Sequence, residues 1–255
     1  SISYPAAPQV TSITPATGVN TGMVGISSLT GTGFENGAEV VLKKTGEANI
    51  TGTNVMVLPP AQITCEFNLA GAAEGPWDIV VINDDGQSGI LPGGFQVTYP
   101  APQITGIAPL IGINNGPVSI TNLSGVYFRS PATVKLTRLG EPDIPGSSVA
   151  VVNAGKITCS VALAGAAAGP WNLVVTNPDG QYAIATNIFT VENPAPSVSK
   201  ITPNRGANDS TVFISALNGT GFRPGAIVQL TKNGQVPIPA TGVNVVSATK
   251  INCTL

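Results

Sequence analysis

Three cysteines are the most reactive side chains the sequence offers, and they share one setting. They lie in Ile63-Thr64-Cys65-Glu66-Phe67, Ile157-Thr158-Cys159-Ser160-Val161 and Ile251-Asn252-Cys253-Thr254-Leu255. A thiolate is a nucleophile or a metal ligand when its surroundings favour the charge. Here period-two alternation turns Cys65 to the same side as Ile63 and Phe67, the side a strand buries. A single inward thiol finds no partner inside its own segment. The three positions are therefore predicted to be buried free thiols, with an inter-chain disulfide as the alternative and metal binding the weakest reading.

Other candidate chemistry thins out quickly. The chain has no histidine, which removes the commonest general base and the commonest transition-metal ligand together. Asp84-Asp85 and Asp179 evoke calcium, but calcium takes about six to eight oxygens and only one or two carboxylates stand near either turn. Trp77 and Trp171 have the ring chemistry of a sugar platform. Lying in register with Ile79 and Val81, and with Leu173 and Val175, they are expected instead to be core anchors. Five Asn-X-Ser/Thr triplets occur, at Asn49, Asn122, Asn208, Asn218 and Asn252. Asn49 is placed in a hairpin loop and Asn122, Asn208 and Asn218 beside turns, which makes these four candidate glycan acceptors; Asn252 falls mid-strand. No nucleophile with its base, no phosphate loop and no carboxylate pair is present. The expectation is a non-enzymatic chain that needs no cofactor.

The elements that position these residues follow from an internal repeat. Pro8, Pro102 and Pro196 stand 94 residues apart, as do Phe34, Phe128 and Phe222, and the three cysteines. At the same offset Trp77 meets Trp171, and Asp85-Gly86 meets Asp179-Gly180, with no insertion anywhere. About half of the paired positions in the first two copies are identical. Expected boundaries are 8–101, 102–195 and an incomplete 196–255, with 1–7 as the tail of a preceding repeat plus linker. Ser1-Ile2-Ser3-Tyr4 resembles Gln96-Val97-Thr98-Tyr99, so the chain reads as a window on a longer array.

Within a copy, Val40 and Leu42 alternate with Val41 and Lys43, and Val134 and Leu136 with Lys135 and Thr137. Asn83-Asp84-Asp85-Gly86 and Asn177-Pro178-Asp179-Gly180 signal tight turns. About seven short strands per 94 residues, without a helical stretch, predict an all-β chain of tandem antiparallel β-sandwiches. Ile157 to Pro178 carries no charge over a length that raises the question of a membrane span. Its internal Gly165, Gly169 and Pro170 favour strand, turn, strand, so no transmembrane segment is expected.

The motifs Ile13-Thr14-Pro15, Gly31-Thr32-Gly33-Phe34 and Trp77-Asp78-Ile79-Val80-Val81, followed by Asp85-Gly86, together resemble the IPT/TIG domain. Copy two departs where Tyr127 replaces the second glycine and Ser130-Pro131 replaces Asn36-Gly37, so a differently shaped loop is expected there. The resemblance implies immunoglobulin-like sandwiches of the early-set type. It also implies surface arrays of the archaeal and bacterial kind, hence an extracellular or cell-surface location.

Charged residues are only 9% of the chain, and 11 Lys plus Arg stand against 13 Asp plus Glu, so no basic field for nucleic acid exists. Joints such as Asn193-Pro194-Ala195-Pro196 leave little slack between copies. The leading expectation is a structural repeat region of a surface layer, sheath, stalk or filament that associates with copies of itself or other surface proteins. An adhesin or carbohydrate-binding module, or a spacer of a larger secreted enzyme, are the alternatives.

Overall fold

The computed structural model describes residues 6–58 and 61–255. The expected final strand of a preceding repeat, at Ser1 to Tyr4, lies outside them. Contacts divide the chain into two compact units, Ser1–Ala101 and Pro102–Leu255, the second holding copies two and three together.

The first unit is built from β1 (Gln9–Thr14), β2 (Thr17–Val19), β3 (Met23–Thr32), β4 (Glu39–Lys43), β5 (Ile50–Thr51), β6 (Thr53–Leu58), β7 (Gln62–Asn68), β8 (Gly75–Ile82) and β9 (Ser88–Thr98). Two sheets form, ordered β1-β3-β7-β6 and β2-β9-β8-β4-β5. All pairings are antiparallel except β2 with β9, where Thr17 to Val19 run parallel to Gln96 to Thr98. The first order is the ABED sheet of an immunoglobulin sandwich, and β9-β8-β4 reproduces its GFC sheet. There are nine strands where about seven were expected. Pro15, which has no N–H to give a ladder, separates β1 from β2. At Gly52 the chain passes from one sheet to the other, its N–H reaching the Val40 carbonyl at 2.7 Å.

The second unit repeats this plan. Its complete copy uses β10 (Gln103–Ala108), β11 (Ile111–Ile113), β12 (Pro117–Val126), β13 (Thr133–Thr137), β14 (Ile144–Asn153), β15 (Lys156–Ala162), β16 (Gly169–Thr176) and β17 (Tyr182–Glu192). Here the crossing strand is continuous, so β14 pairs with β13 on one side and β15 on the other, and the two layers join into one eight-stranded order. The charge-free run from Ile157 resolves into β15, a turn and β16. Among the described residues no helix is long and apolar enough to cross a membrane. Copy three contributes β18 (Ser197–Thr202), β19 (Phe213–Thr220), β20 (Gln229–Leu230), β21 (Ile238–Pro239), β22 (Thr241–Ser247) and β23 (Lys250–Thr254).

Three separate apolar cores follow the three copies. In the first, Leu29, Leu42, Ile63, Phe67, Ile79 and Phe95 are fully buried. Each such side chain contributes roughly 1.5–3 kcal/mol by leaving water. The second core holds the counterparts Leu123, Leu136, Ile157, Val161, Leu173 and Phe189. In the third, Val228 and Leu230 stand where Val40 and Leu42 do, yet Leu230 is 46% exposed against 0% for Leu42.

Strand alternation is obeyed on the core side and relaxed on the outer side. Val41 and Val80 face outward and pair in register, but they are only 5% and 3% exposed, whereas a solvated face was expected there. The first glycine of the Gly-Thr-Gly-Phe motif is fixed by space. A Cβ on Gly31 would lie 1.9 Å from the Gln9 carbonyl oxygen and 2.3 Å from the Phe34 ring, and Gly125 and Gly219 repeat the fit against Gln103 and Ser197. Just beyond Gln9, β1 slips register between Val10 and Ser12.

Candidate functional site

The thiols sit where the inward face of β7, β15 and β23 carries them. Cys65, Cys159 and Cys253 are 3%, 6% and 1% exposed and form no disulfide. Burial, helped by the neighbouring Glu66 charge, pushes the Cys65 thiol up to about 12. Burial alone takes Cys159 to about 11 and raises Cys253. Almost no thiolate exists at neutral pH in such surroundings, so nucleophilic and metal chemistry are both suppressed.

The tryptophans lie in the cores at 2% and 1% exposure. Each satisfies its one polar atom locally: Nε1 of Trp77 donates to the Ala73 carbonyl and Nε1 of Trp171 to the Ala167 carbonyl, both at 2.9 Å. The loop that accepts these bonds is clamped by a cation 94 positions apart in the two copies. Lys44 Nζ donates to the Glu74 carbonyl, and Arg138 Nη1 to the Ala168 carbonyl at 2.7 Å.

Two buried asparagines, each at the head of a tight turn, perform a further stitch. Asn83 Nδ2 donates to the Gly33 carbonyl at 2.8 Å while its Oδ1 accepts from the Glu35 N–H at 3.3 Å. Asn177 does the same with Tyr127 and Arg129, at 2.8 and 3.1 Å. The side chain thus ties the loop after β3, or after β12, to the turn that ends β8, or β16. Both asparagines are 3% exposed. An Asn repeated at the end of a buried apolar strand, just ahead of an Asp-Gly turn, is the signal that marks them.

The loop of copy two, expected to differ, does so at Ser130-Pro131, a cis bond where Gly37 and Gly225 adopt φ 91° and 85°, but the stitch keeps its first step unchanged. Tyr127 adopts φ 60°, matching Gly33 at 69° and Gly221 at 71°. The loop keeps its left-handed step although tyrosine is disfavoured there, because the Tyr127 carbonyl must still meet Asn177.

The acidic turns are held mainly by their own residues. Asp85 Oδ1 accepts from the Gln87 N–H at 3.0 Å and Oδ2 from the Gln87 amide at 2.6 Å, which holds its carboxyl below the ordinary carboxylate value. Asp179 accepts the same pair of bonds from Gln181 and also meets Arg129 Nη1 at 2.9 Å. Among the described residues no group of three or more His, Cys, Asp or Glu side chains is placed to hold a metal ion, and no buried side-chain nitrogen or oxygen lacks a partner.

The sequons separate by position. Asn49 is exposed in the irregular segment before β5. Asn122 and Asn218, expected beside turns, lie within β12 and β19 and are half-buried, opposite Ala108 and Lys200. Asn208 is exposed in a turn, and Asn252 is half-buried in β23. The described surface also includes an apolar groove of about 770 Å³ in copy three, lined by Ile214, Leu217, Phe222, Val228 and Ile251. These five are the counterparts of Ile26, Leu29, Phe34, Val40 and Ile63, which belong to or pack against the core of copy one.

No protein-family model matches the chain, and no curated protein matches it in sequence. Among solved structures, a variant of the three titin immunoglobulin domains I67–I69 is 13% identical, over 98% of this chain and 87% of that one, with a TM-score of 0.42. Murine CEACAM1b is 10% identical over 72% of this chain and 100% of its own, at 0.36. The Bacteroides ovatus glucan-utilisation protein SGBP-B, solved with a mixed-linkage heptasaccharide, is 18% identical over 80% of this chain and 51% of its own, at 0.27. With TM-scores this low, these likenesses carry no weight for function. The immunoglobulin-like assignment stands on strand order and pairing.

Proposed function

We propose that the chain is a non-enzymatic structural repeat region of an extracellular or cell-surface protein, an array of early-set sandwiches of the IPT/TIG kind. One observation carries this reading: the side chains able to do chemistry are committed, at the same 94-residue offset, to holding each sandwich closed. The thiols are buried and protonated, the indoles bond their own loops, the asparagines and cations clamp loops, and the turn carboxylates are taken up by their own turns and, for Asp179, by Arg129. What reaches solvent is a weakly charged surface rich in Thr, Ser and Asn, which packs against copies of itself at little cost in desolvated charge. The boundaries 8–101, 102–195 and 196–255 mark the repeats of that array. Protease shaving of intact cells of the source organism tests the location. The reading expects the protein to be cleaved before lysis; protection until the cells are opened contradicts it.

A second reading, a carbohydrate-binding module, draws on copy two alone. Tyr182 and Tyr127 are 60% and 40% exposed there, where copy one has Ser88 and Gly33, and both flank Asn177. Exposed rings beside polar groups suit sugar stacking. Retardation of the chain in polysaccharide gels, abolished by Tyr182→Ala, would favour that reading over a purely structural one.

A further inference from the structure

We infer that Asn49 is the one asparagine of the five sequons built to carry an N-linked glycan on the folded chain. The inference rests on the extracellular reading above for its biological setting, and on geometry for the choice of residue.

A transferase that acts on a folded substrate needs an exposed, irregular segment that it can draw into its own site, with the acceptor amide uncommitted. Residues 45–49 are all exposed and lie outside any strand. The loop turns through Gly46 at φ 84°, closed by the Glu47 N–H on the Lys44 carbonyl at 3.1 Å. Asn49 makes no side-chain hydrogen bond among the described residues. Thr51, which completes the triplet Asn49-Ile50-Thr51, is exposed on the short edge strand β5, which is held by only two register pairs to β4. Opening that edge undoes only the pairs with Val41 and Leu42, although it lifts Ile50 from the core it packs against. Copy two carries Asp143 at the equivalent position and copy three Pro237, both exposed, so the sandwich makes no demand on this side chain.

The other four fail on one count or another. Asn122, Asn218 and Asn252 are half-buried inside strands, and pulling any of them out would break ladder pairs on both sides. Asn208 is exposed, but its counterparts in the first two copies use the same amide as an inward donor. Asn20 Nδ2 reaches the Ala72 carbonyl at 3.0 Å and Asn114 Nδ2 the Ala166 carbonyl at 2.8 Å. Asn208 itself makes no such bond among the described residues; the repeat plan gives this position to an inward amide, whereas it leaves the position of Asn49 to any exposed side chain.

The transfer requires a lipid-linked oligosaccharide phosphate as donor. Nδ2 of Asn49 forms a bond to the sugar C1, the C1–O bond to phosphate breaks with its electron pair leaving on the phosphate, and the amide proton passes to a base of the transferase. Nothing is oxidised or reduced.

The test is to secrete the 255-residue chain from an N-glycosylating host, separate folded material by size exclusion, and map sequon occupancy by peptide mass before and after amidase release. Secretion by the host imposes the compartment, so the result is independent of where the native protein resides. Occupancy at Asn49 is expected to exceed that at each other sequon by about tenfold. Asn49→Gln should remove nearly all of the carbohydrate and leave the circular dichroism unchanged. An unmodified Asn49 in folded, secreted chain overturns the inference, and so does dominant occupancy at Asn122, Asn208, Asn218 or Asn252.

Discussion

Tyr127 holds a backbone step that copies one and three give to glycine. A non-glycine residue at positive φ costs on the order of 1–2 kcal/mol, and the step is retained because the Asn177 bond fixes the carbonyl. Tyr127→Gly should therefore raise the unfolding free energy by about 1 kcal/mol in urea titration; a loss would show that the ring contributes more than the strain. Asp85 is the other residue whose chemistry is set locally. Its folded pKa is depressed, first by the Gln87 N–H and then by the Gln87 amide. A depressed carboxyl stabilises the fold above its unfolded value, and that contribution disappears as pH falls through the folded one. Unfolding of residues 6–101 followed from neutral to acid pH should show this loss on the acid side, and Asp85→Asn should flatten it. An unchanged acid limb would mean that the turn is open in solution.

At the scale of the element, the stitches decide how loops are held, and they were the least legible part of the sequence. Period-two alternation places Trp77, Ile79 and Val81 on one face without ambiguity, because a strand shows its burial in its pattern. It fails for Val41 and Val80, which face outward and are nonetheless buried. It also fails for Asn122 and Asn218, since no local signal separates a polar residue on a strand's outer face from one in a turn. Asn83 was hidden for a different reason: an asparagine ahead of Asp-Gly already has an explanation as a turn former. Only the fold brings Gly33 and Glu35, some fifty residues earlier in the chain, to its side-chain amide. Asn83→Ala removes the bonds to the Glu35 N–H and the Gly33 carbonyl, each worth about 0.5–1.5 kcal/mol, and should cost about 1–3 kcal/mol in chemical denaturation. Asn83→Asp should also destabilise, since its carboxylate can accept from Glu35 but has no proton to give Gly33. A neutral outcome for both would mean that water replaces the stitch.

At the scale of the whole molecule, each complete copy is a closed sandwich whose thiols and indoles are locked inside it. The repeat offset made this visible from sequence, since one architecture serves both units and Cys, Trp and Asn recur at equivalent places. The chain has only two tryptophans, one per complete copy, so their indole N–H groups report on the two sandwiches separately. Native-state hydrogen exchange of those two groups is the most direct test. Both Nε1 protons, buried and bonded to Ala73 and Ala167, should exchange only through global unfolding, at rates that follow stability as denaturant is added. Exchange within the time of mixing at either indole would place that ring in solvent and contradict the closed sandwich.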